Sequence, residues 1–260
     1  MKTGKMAGIL TLMLLVVILG FIIGLRESET DNVVVDGGEA VTIDKGQTTP
    51  APTPDVGDHP VQTADPADDL PKIDITSWEY TIANGDNTYK AVPKVSEVGN
   101  TGAFFCTKAV DALNAMVKDC TAAGYSIHIN LAYVPYSTQE YYYNNMTGKY
   151  TAAGDTQEEA ERKTSKIIAR AGQSDHQTGL GVDITDSYFT PYTNETLNQK
   201  ALDWLDDHCA EYGFIQRYPA GKESITGYRQ SYHFRYVGVE AAQYITSHFL
   251  CLEEFAALYK

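Results

Sequence analysis

Residues 174–183 read Ser174-Asp175-His176-Gln177-Thr178-Gly179-Leu180-Gly181-Val182-Asp183, and further on the chain reads Tyr232-His233-Phe234-Arg235-Tyr236. Two histidines and a carboxylate are the donor types of a catalytic zinc site, which takes three protein ligands and keeps a fourth position open. As one extended strand, the stretch from His176 to Asp183 would span about 23 Å, too far for one ion. Gly179 and Gly181 permit a tight reversal between the two donors. Asp183 then falls on the short apolar strand Val182-Asp183-Ile184, pointing away from its neighbours. A carboxylate there is costly unless it is paired or bound to a cation. Taken singly, a loop His, a strand Asp and a core His are ordinary structural residues; together they point to a metal.

Outward from these segments, Gly181 to Thr185 and His233 to Val237 are predicted short strands. Alternation over Ser126-Ile127-His128-Ile129-Asn130-Leu131 predicts another. Ala112, Leu113, Met116 and Val117 have helical spacing within Ala109 to Ala122, and Gly124 is a natural stop. Further helices are expected over Thr138 to Asn145, Thr156 to Ala169, and Leu197 to Tyr212, the last ended by Gly213. Helices and strands mix without a βαβ rhythm, so the expected class is α+β. Residues 73–260 are read as a single compact domain with a small, mainly antiparallel sheet flanked by helices.

Before this domain come three segments. Residues 1–5 carry Lys2 and Lys5, and residues 6–25, Met6 to Leu25, are apolar and without charge. About 20 residues at about 1.5 Å rise span a hydrocarbon core. Acid dominates after Arg26, so the amino end is expected in the cytoplasm and the rest of the chain outside a bacterial cell, single-pass. No A-x-A-like cleavage site follows and the run is long for a signal-peptide core, so it is read as an uncleaved anchor. Residues 26–72 are acidic and rich in Thr and Pro, centred on Thr48-Thr49-Pro50-Ala51-Pro52-Thr53-Pro54. That composition predicts a disordered, self-repelling stalk.

The formal net charge of -14 argues against nucleic acid as a partner, because the chain repels phosphate. The cysteines Cys106, Cys120, Cys209 and Cys251 allow three disulfide connectivities, and an extracellular location permits them. Were Cys106 and Cys120 on one helix they would stand about 21 Å apart, which disfavours one pattern.

The combined motifs resemble the zinc D-alanyl-D-alanine carboxypeptidases of the VanY type. That family's signature S-x-H-x-x-G-x-A-x-D, preceded by A-R-x-G, is matched by Ala169-Arg170-Ala171-Gly172 and Ser174 to Asp183, with Gly181 in the Ala place. Its G-F-x-x-R-Y-P-x-G-K-E element is matched by Gly213 to Glu223, and its E-x-W-H-x-R-Y-V-G element by Gln230 to Gly238. The resemblance covers roughly residues 100 to 250. It implies Zn²⁺ as cofactor, His176, Asp183 and His233 as its ligands, Ser174, Gln139 and Tyr232 as substrate contacts, and a peptidoglycan stem peptide as substrate.

Two departures fall on the chemistry that the resemblance implies. In the family, the Glu of E-x-W-H takes a proton from the attacking water and returns it to the leaving amine. Here Gln230 stands in its place, which can orient a water but cannot accept a proton at neutral pH. The stretch between Tyr228 and His233 is one residue short, and a shift by one puts Ser231 there instead. The family's S-G-Y-R-S-Y-x-x-Q element supplies an Arg that clamps the peptide carboxylate; in Leu131 to Gln139, Val134 replaces it. Arg229 is a candidate substitute cation and Glu223 a candidate substitute base. Tyr141-Tyr142-Tyr143 reads as core packing rather than a sugar platform. Three functions follow: a membrane-anchored cell-wall zinc peptidase, a zinc-retaining peptidoglycan-binding protein that does not cut, or an endopeptidase of altered specificity.

Overall fold

The computed structural model describes residues 69–185 and 199–260. The expected anchor at 6–25 and the stalk up to residue 68 lie outside the described residues. Among those described, no helix is long and apolar enough to cross a membrane.

In chain order the elements are β1 (Val95–Glu97), β2 (Phe104–Cys106), α1 (Val110–Ala122), β3 (His128–Leu131), α2 (Tyr136–Ala152), α3 (Gln157–Thr164), β4 (Gly181–Thr185), α4 (Gln199–His208), β5 (Phe214–Tyr218), α5 (Glu223–Thr226), β6 (Gln230–Tyr236), α6 (Val239–Ser247) and α7 (Leu252–Ala257). Strands β1 and β2 form a two-stranded sheet, and the other four form a sheet of order β3-β4-β6-β5. Every pairing is antiparallel. The architecture is therefore α+β, with small antiparallel sheets flanked by helices.

Apolar residues place the layers. Helix α1 buries Val110, Leu113, Met116 and Cys120, a helical stripe. It shares one cluster with Val182 and Ile184 of β4, Phe234 of β6, Phe214 of β5, and Leu202 and Leu205 of α4. Because strand side chains alternate between faces, His233 and Arg235, the neighbours of Phe234, turn away from this cluster, as does Asp183 between Val182 and Ile184. A second cluster joins Ile215 to Ala241, Tyr244 and Ile245 of α6 and to Leu252 and Phe255 of α7, with Leu70, Ile73 and Ile75 packed against it.

Several boundaries differ from expectation. Helix α2 runs to Ala152 rather than Asn145, because Tyr143, Met146 and Thr147 continue a buried face. Thr147 Oγ1 reaches Thr164 Oγ1 on α3 at 3.1 Å. Helix α3 ends at Thr164 rather than Ala169; the chain then turns through Gly172 at φ +90°, whose carbonyl accepts from Tyr89 N at 2.7 Å. The expected helix to Tyr212 closes with a 3-10 turn, Cys209–Tyr212, before Gly213 at φ +83°. Strand β6 starts at Gln230, three residues earlier than expected, and β1, β2, β5 and the short helices α5, α6 and α7 had no sequence counterpart. All four cysteines are buried free thiols, so none of the three connectivities is realised.

Candidate metal centre

The first donor is placed by a 3-10 turn, Asp175–Thr178, closed by Gly179 in the left-handed region at φ +71°. Thr178 Oγ1 donates to the Asp175 carbonyl at 2.6 Å and accepts from Leu180 N at 3.1 Å. Gln177 Oε1 accepts from Gly172 N at 2.6 Å. The His176 carbonyl accepts from Val134 N, and the Gly179 carbonyl from Cys106 N. Gln177 and Thr178 thus hold the turn that carries His176.

The other two donors come from paired strands. Asp183 of β4 lies directly opposite His233 of β6 in the ladder. His233 Nδ1 is 2.7 Å from Asp183 Oδ1, and His176 Nε2 is 3.4 Å from the same oxygen. The two imidazole centroids are 4.7 Å apart with planes at 70°. Relative exposures are 9 % for His176, 3 % for Asp183 and 2 % for His233. One ligand atom from each lies within 4.8 Å of the others. Tetrahedral donors at about 2.1 Å from an ion stand about 3.4 Å apart. The sequence-derived triad is therefore brought together, and its donor set suits zinc.

Asp175 completes the setting. Its Oδ2 lies 3.3 Å from His233 Nε2, while Arg235 Nη1 donates to Oδ1 and Arg217 Nε stands 3.7 Å from that atom. Arg217 grips Glu253 of α7 with two bonds, at 2.9 and 2.6 Å. Burial would raise the Asp175 pKa, but the charge of Arg235, the His233 hydrogen bond and the charge of Arg217 outweigh it and hold the carboxyl well below its usual range. With Nε2 of His233 facing a carboxylate, Nδ1 is the nitrogen left for a metal, the carboxylate–histidine–zinc arrangement. Burial likewise opposes ionisation of Asp183, and the charge and hydrogen bonds of His176 and His233 bring it down to about 2.

The remaining candidates are placed as follows. Gln230 makes a side-chain hydrogen bond with Tyr232, whose phenol burial pushes to a raised pKa. Tyr232 packs in the first core cluster as an aromatic wall. Ser174 precedes the 3-10 turn, buried, and makes no capping bond to it. Gln139, expected at the substrate, is buried on α2 with Nε2 donated to the Ala169 carbonyl at 2.7 Å, which makes it a latch between α2 and the segment before His176. Val134 is buried, its amide on the His176 carbonyl, so the position where the family pattern has Arg does adjoin the site. Arg229 is exposed and its charge acts on Asp206 of α4. Glu223 is exposed on α5. Tyr143 is buried and Tyr141 exposed, so the tyrosine run is only partly core.

Asp175, Arg217, Arg235 and Tyr218 belong to the site although no sequence pattern singles them out. The Tyr218 ring lies 5.0 Å from that of His233 and 5.5 Å from that of Tyr228. All four fall inside the quoted motifs, but single charges within a motif do not declare which is buried against which.

A buried pair of histidines and one carboxylate, two of them carried on an antiparallel sheet and one on a 3-10 turn, is the donor set of a zinc hydrolase. Comparison with known proteins narrows this. The family model for VanY, D-alanyl-D-alanine carboxypeptidase, matches residues 104–239. A putative carboxypeptidase, YodJ, of Bacillus subtilis is 35% identical over 150 residues, 57% of this chain and 52% of the relative, about half its length. A D-alanyl-D-alanine carboxypeptidase of Enterococcus faecalis is 31% identical over 184 residues, 70% of this chain and 67% of the relative. Among solved structures, VanYB in complex with D-alanine-D-alanine superposes with TM-score 0.62 at 29% identity, covering 71% of this chain and 100% of that one. A VanY D,D-pentapeptidase variant in complex with Zn(II) gives TM-score 0.59 at 29% identity, covering 69% and 99%. The chain belongs to the VanY family.

Proposed function

We propose that the protein is a membrane-anchored zinc peptidase acting on peptidoglycan stem peptides that end in D-Ala-D-Ala, held at the cell surface by the apolar run Met6 to Leu25. The observation that carries this is the ladder pairing of Asp183 with His233, with His176 Nε2 3.4 Å from the same carboxylate oxygen, inside the segment the family model matches. When bound, zinc polarises a scissile carbonyl and lowers the pKa of water. His176, Asp183 and His233 would hold it, Tyr218 walls the site beside His233, and the Ser174 hydroxyl contacts the peptide. Gln230 orients the attacking water without taking its proton.

A second reading is favoured by one observation. The Gln230 amide, in the place of the family's Glu, is engaged with the Tyr232 phenol. A site with zinc but no base at that point binds wall peptides and turns them over slowly, because a positioned base contributes about 10²- to 10⁴-fold.

Zinc-loaded protein incubated with a stem pentapeptide ending in D-Ala-D-Ala separates the readings. Release of D-Ala that stops on chelation supports the peptidase. Peptide binding without release supports the binding protein, and neither binding nor release rejects both.

A further inference from the structure

Gly181 opens β4, and its φ lies outside the left-handed region, so its backbone does not require glycine. Its surroundings do. A Cβ placed on Gly181 would stand 2.8 Å from Asp175 Oδ2, 2.9 Å from His233 Nε2 and 3.2 Å from His233 Cε1. Those are the two groups whose contact, at 3.3 Å, occupies the nitrogen of His233 remote from Asp183.

Neither group has room to withdraw. The Asp175 carboxylate is gripped at Oδ1 by Arg235 and backed by Arg217. Arg235 is fixed in turn by the carbonyls of Glu79 and Thr81, at 2.9 and 2.7 Å, and Arg217 by Glu253. His233 is held on its other side by Asp183 at 2.7 Å, with Tyr218 against its ring. Register pairs Gly181 with Arg235, so the bare position sits opposite the arginine that orients the acid.

We infer that Gly181 and Asp175 form one positioning pair: the missing side chain at 181 admits the Asp175 carboxylate to His233 Nε2, and that contact turns His233 Nδ1 toward the metal. The alanine that the family pattern carries at this place is excluded here by the acid. The inference rests on the zinc reading of the triad and adds to it two residues that bind nothing themselves.

The test measures the zinc dissociation constant of the full chain by competition with a chromophoric chelator, for native protein, Gly181→Ala, Asp175→Asn and the double variant, with folding followed by circular dichroism. Each single change is expected to weaken zinc by about 10- to 100-fold, the usual cost of losing a partner behind a ligand. The double variant is expected to be no worse than the weaker single, because both remove one contact. Native affinity in either single variant, or losses that multiply in the double, overturns the pairing. If Gly181→Ala does not fold, Asp175→Asn decides alone: a loss of about tenfold or more sustains the inference, and native affinity overturns it. Native protein that binds no zinc removes the zinc reading as well, whereas native binding with indifferent variants removes only this inference.

Discussion

Asp183 and His233 are direct partners across the β4–β6 ladder, with Oδ1 and Nδ1 2.7 Å apart. The sheet itself thus presets two donors, and only His176 depends on a loop. Zinc at about 100 times its dissociation constant should stabilise the folded protein by about 2.7 kcal/mol. Asp183→Ala should abolish that gain, and so should His233→Ala. Thermal unfolding with and without zinc measures it; an unchanged zinc-induced shift in Asp183→Ala would mean the ion binds elsewhere.

Arg217 is fully buried between Asp175 and the bidentate Glu253, and so links α7 to the metal centre. Arg217→Met keeps the bulk but leaves the buried Asp175 and the partly buried Glu253 short of a partner. Breaking such a pair from one side costs about 3–5 kcal/mol. Glu253→Gln, which keeps the hydrogen-bonding shape, should cost less. Urea denaturation of metal-free protein reads both, and an Arg217→Met variant within about 1 kcal/mol of native would refute the link.

These buried charges mark where the sequence stopped being legible. The donors could be read because glycines, an isolated Asp on an apolar strand and the spacing all acted locally. Helix α1 was equally readable, since Leu113 and Met116 repeat at helical period. Strand β5 was not: Phe214, Ile215, Arg217 and Tyr218 are all buried, so no alternation marks it. Asp175, Arg217 and Arg235 are types ordinarily exposed. Their burial depends on pairing between β4, β5, β6 and the turn before them, which no local pattern encodes.

Asp206 of α4 accepts a hydrogen bond from Gln216 at 2.8 Å. Burial and then the neighbouring charge of Asp203 push its pKa up to about 7 from 3.8. An acid whose folded pKa is raised contributes stability below its unfolded pKa, and loses it as pH rises through the folded value. Stability should therefore fall as pH rises between about pH 4 and pH 7, by an amount that solvent screening limits because Asp206 lies at the surface. Asp206→Asn keeps the acceptor for Gln216 and should flatten that part of the profile. Urea midpoints at pH 5 and pH 8 for the two proteins test it; parallel declines would show that Asp206 is not the titrating group.

The four thiols are buried in the folded chain. Burial raises Cys120 and Cys251 to about 11 and Cys209 to about 12. Because the thiolate is the reactive form, folded protein at pH 7 should resist alkylation at these positions. Denatured protein should take up four labels without prior reduction. Mass spectrometry distinguishes this from a disulfide, which would hold the count at two fewer in unreduced samples.

Gln230 and Tyr232 lie on the same strand with their side chains hydrogen-bonded, and Tyr232 is walled into the core. A carboxylate at position 230 would gain the capacity to take a proton, which an amide lacks. Gln230→Glu should therefore raise D-Ala release from a D-Ala-D-Ala pentapeptide by about 10²- to 10⁴-fold at constant zinc occupancy. The gain should appear in kcat rather than KM, because the substrate's resting contacts are unchanged. Gln230→Met, which neither orients water nor accepts a proton, should fall at or below native. Native turnover equal to that of the Glu variant would mean that another residue, Ser231 or an acid from outside β6, already serves the attacking water.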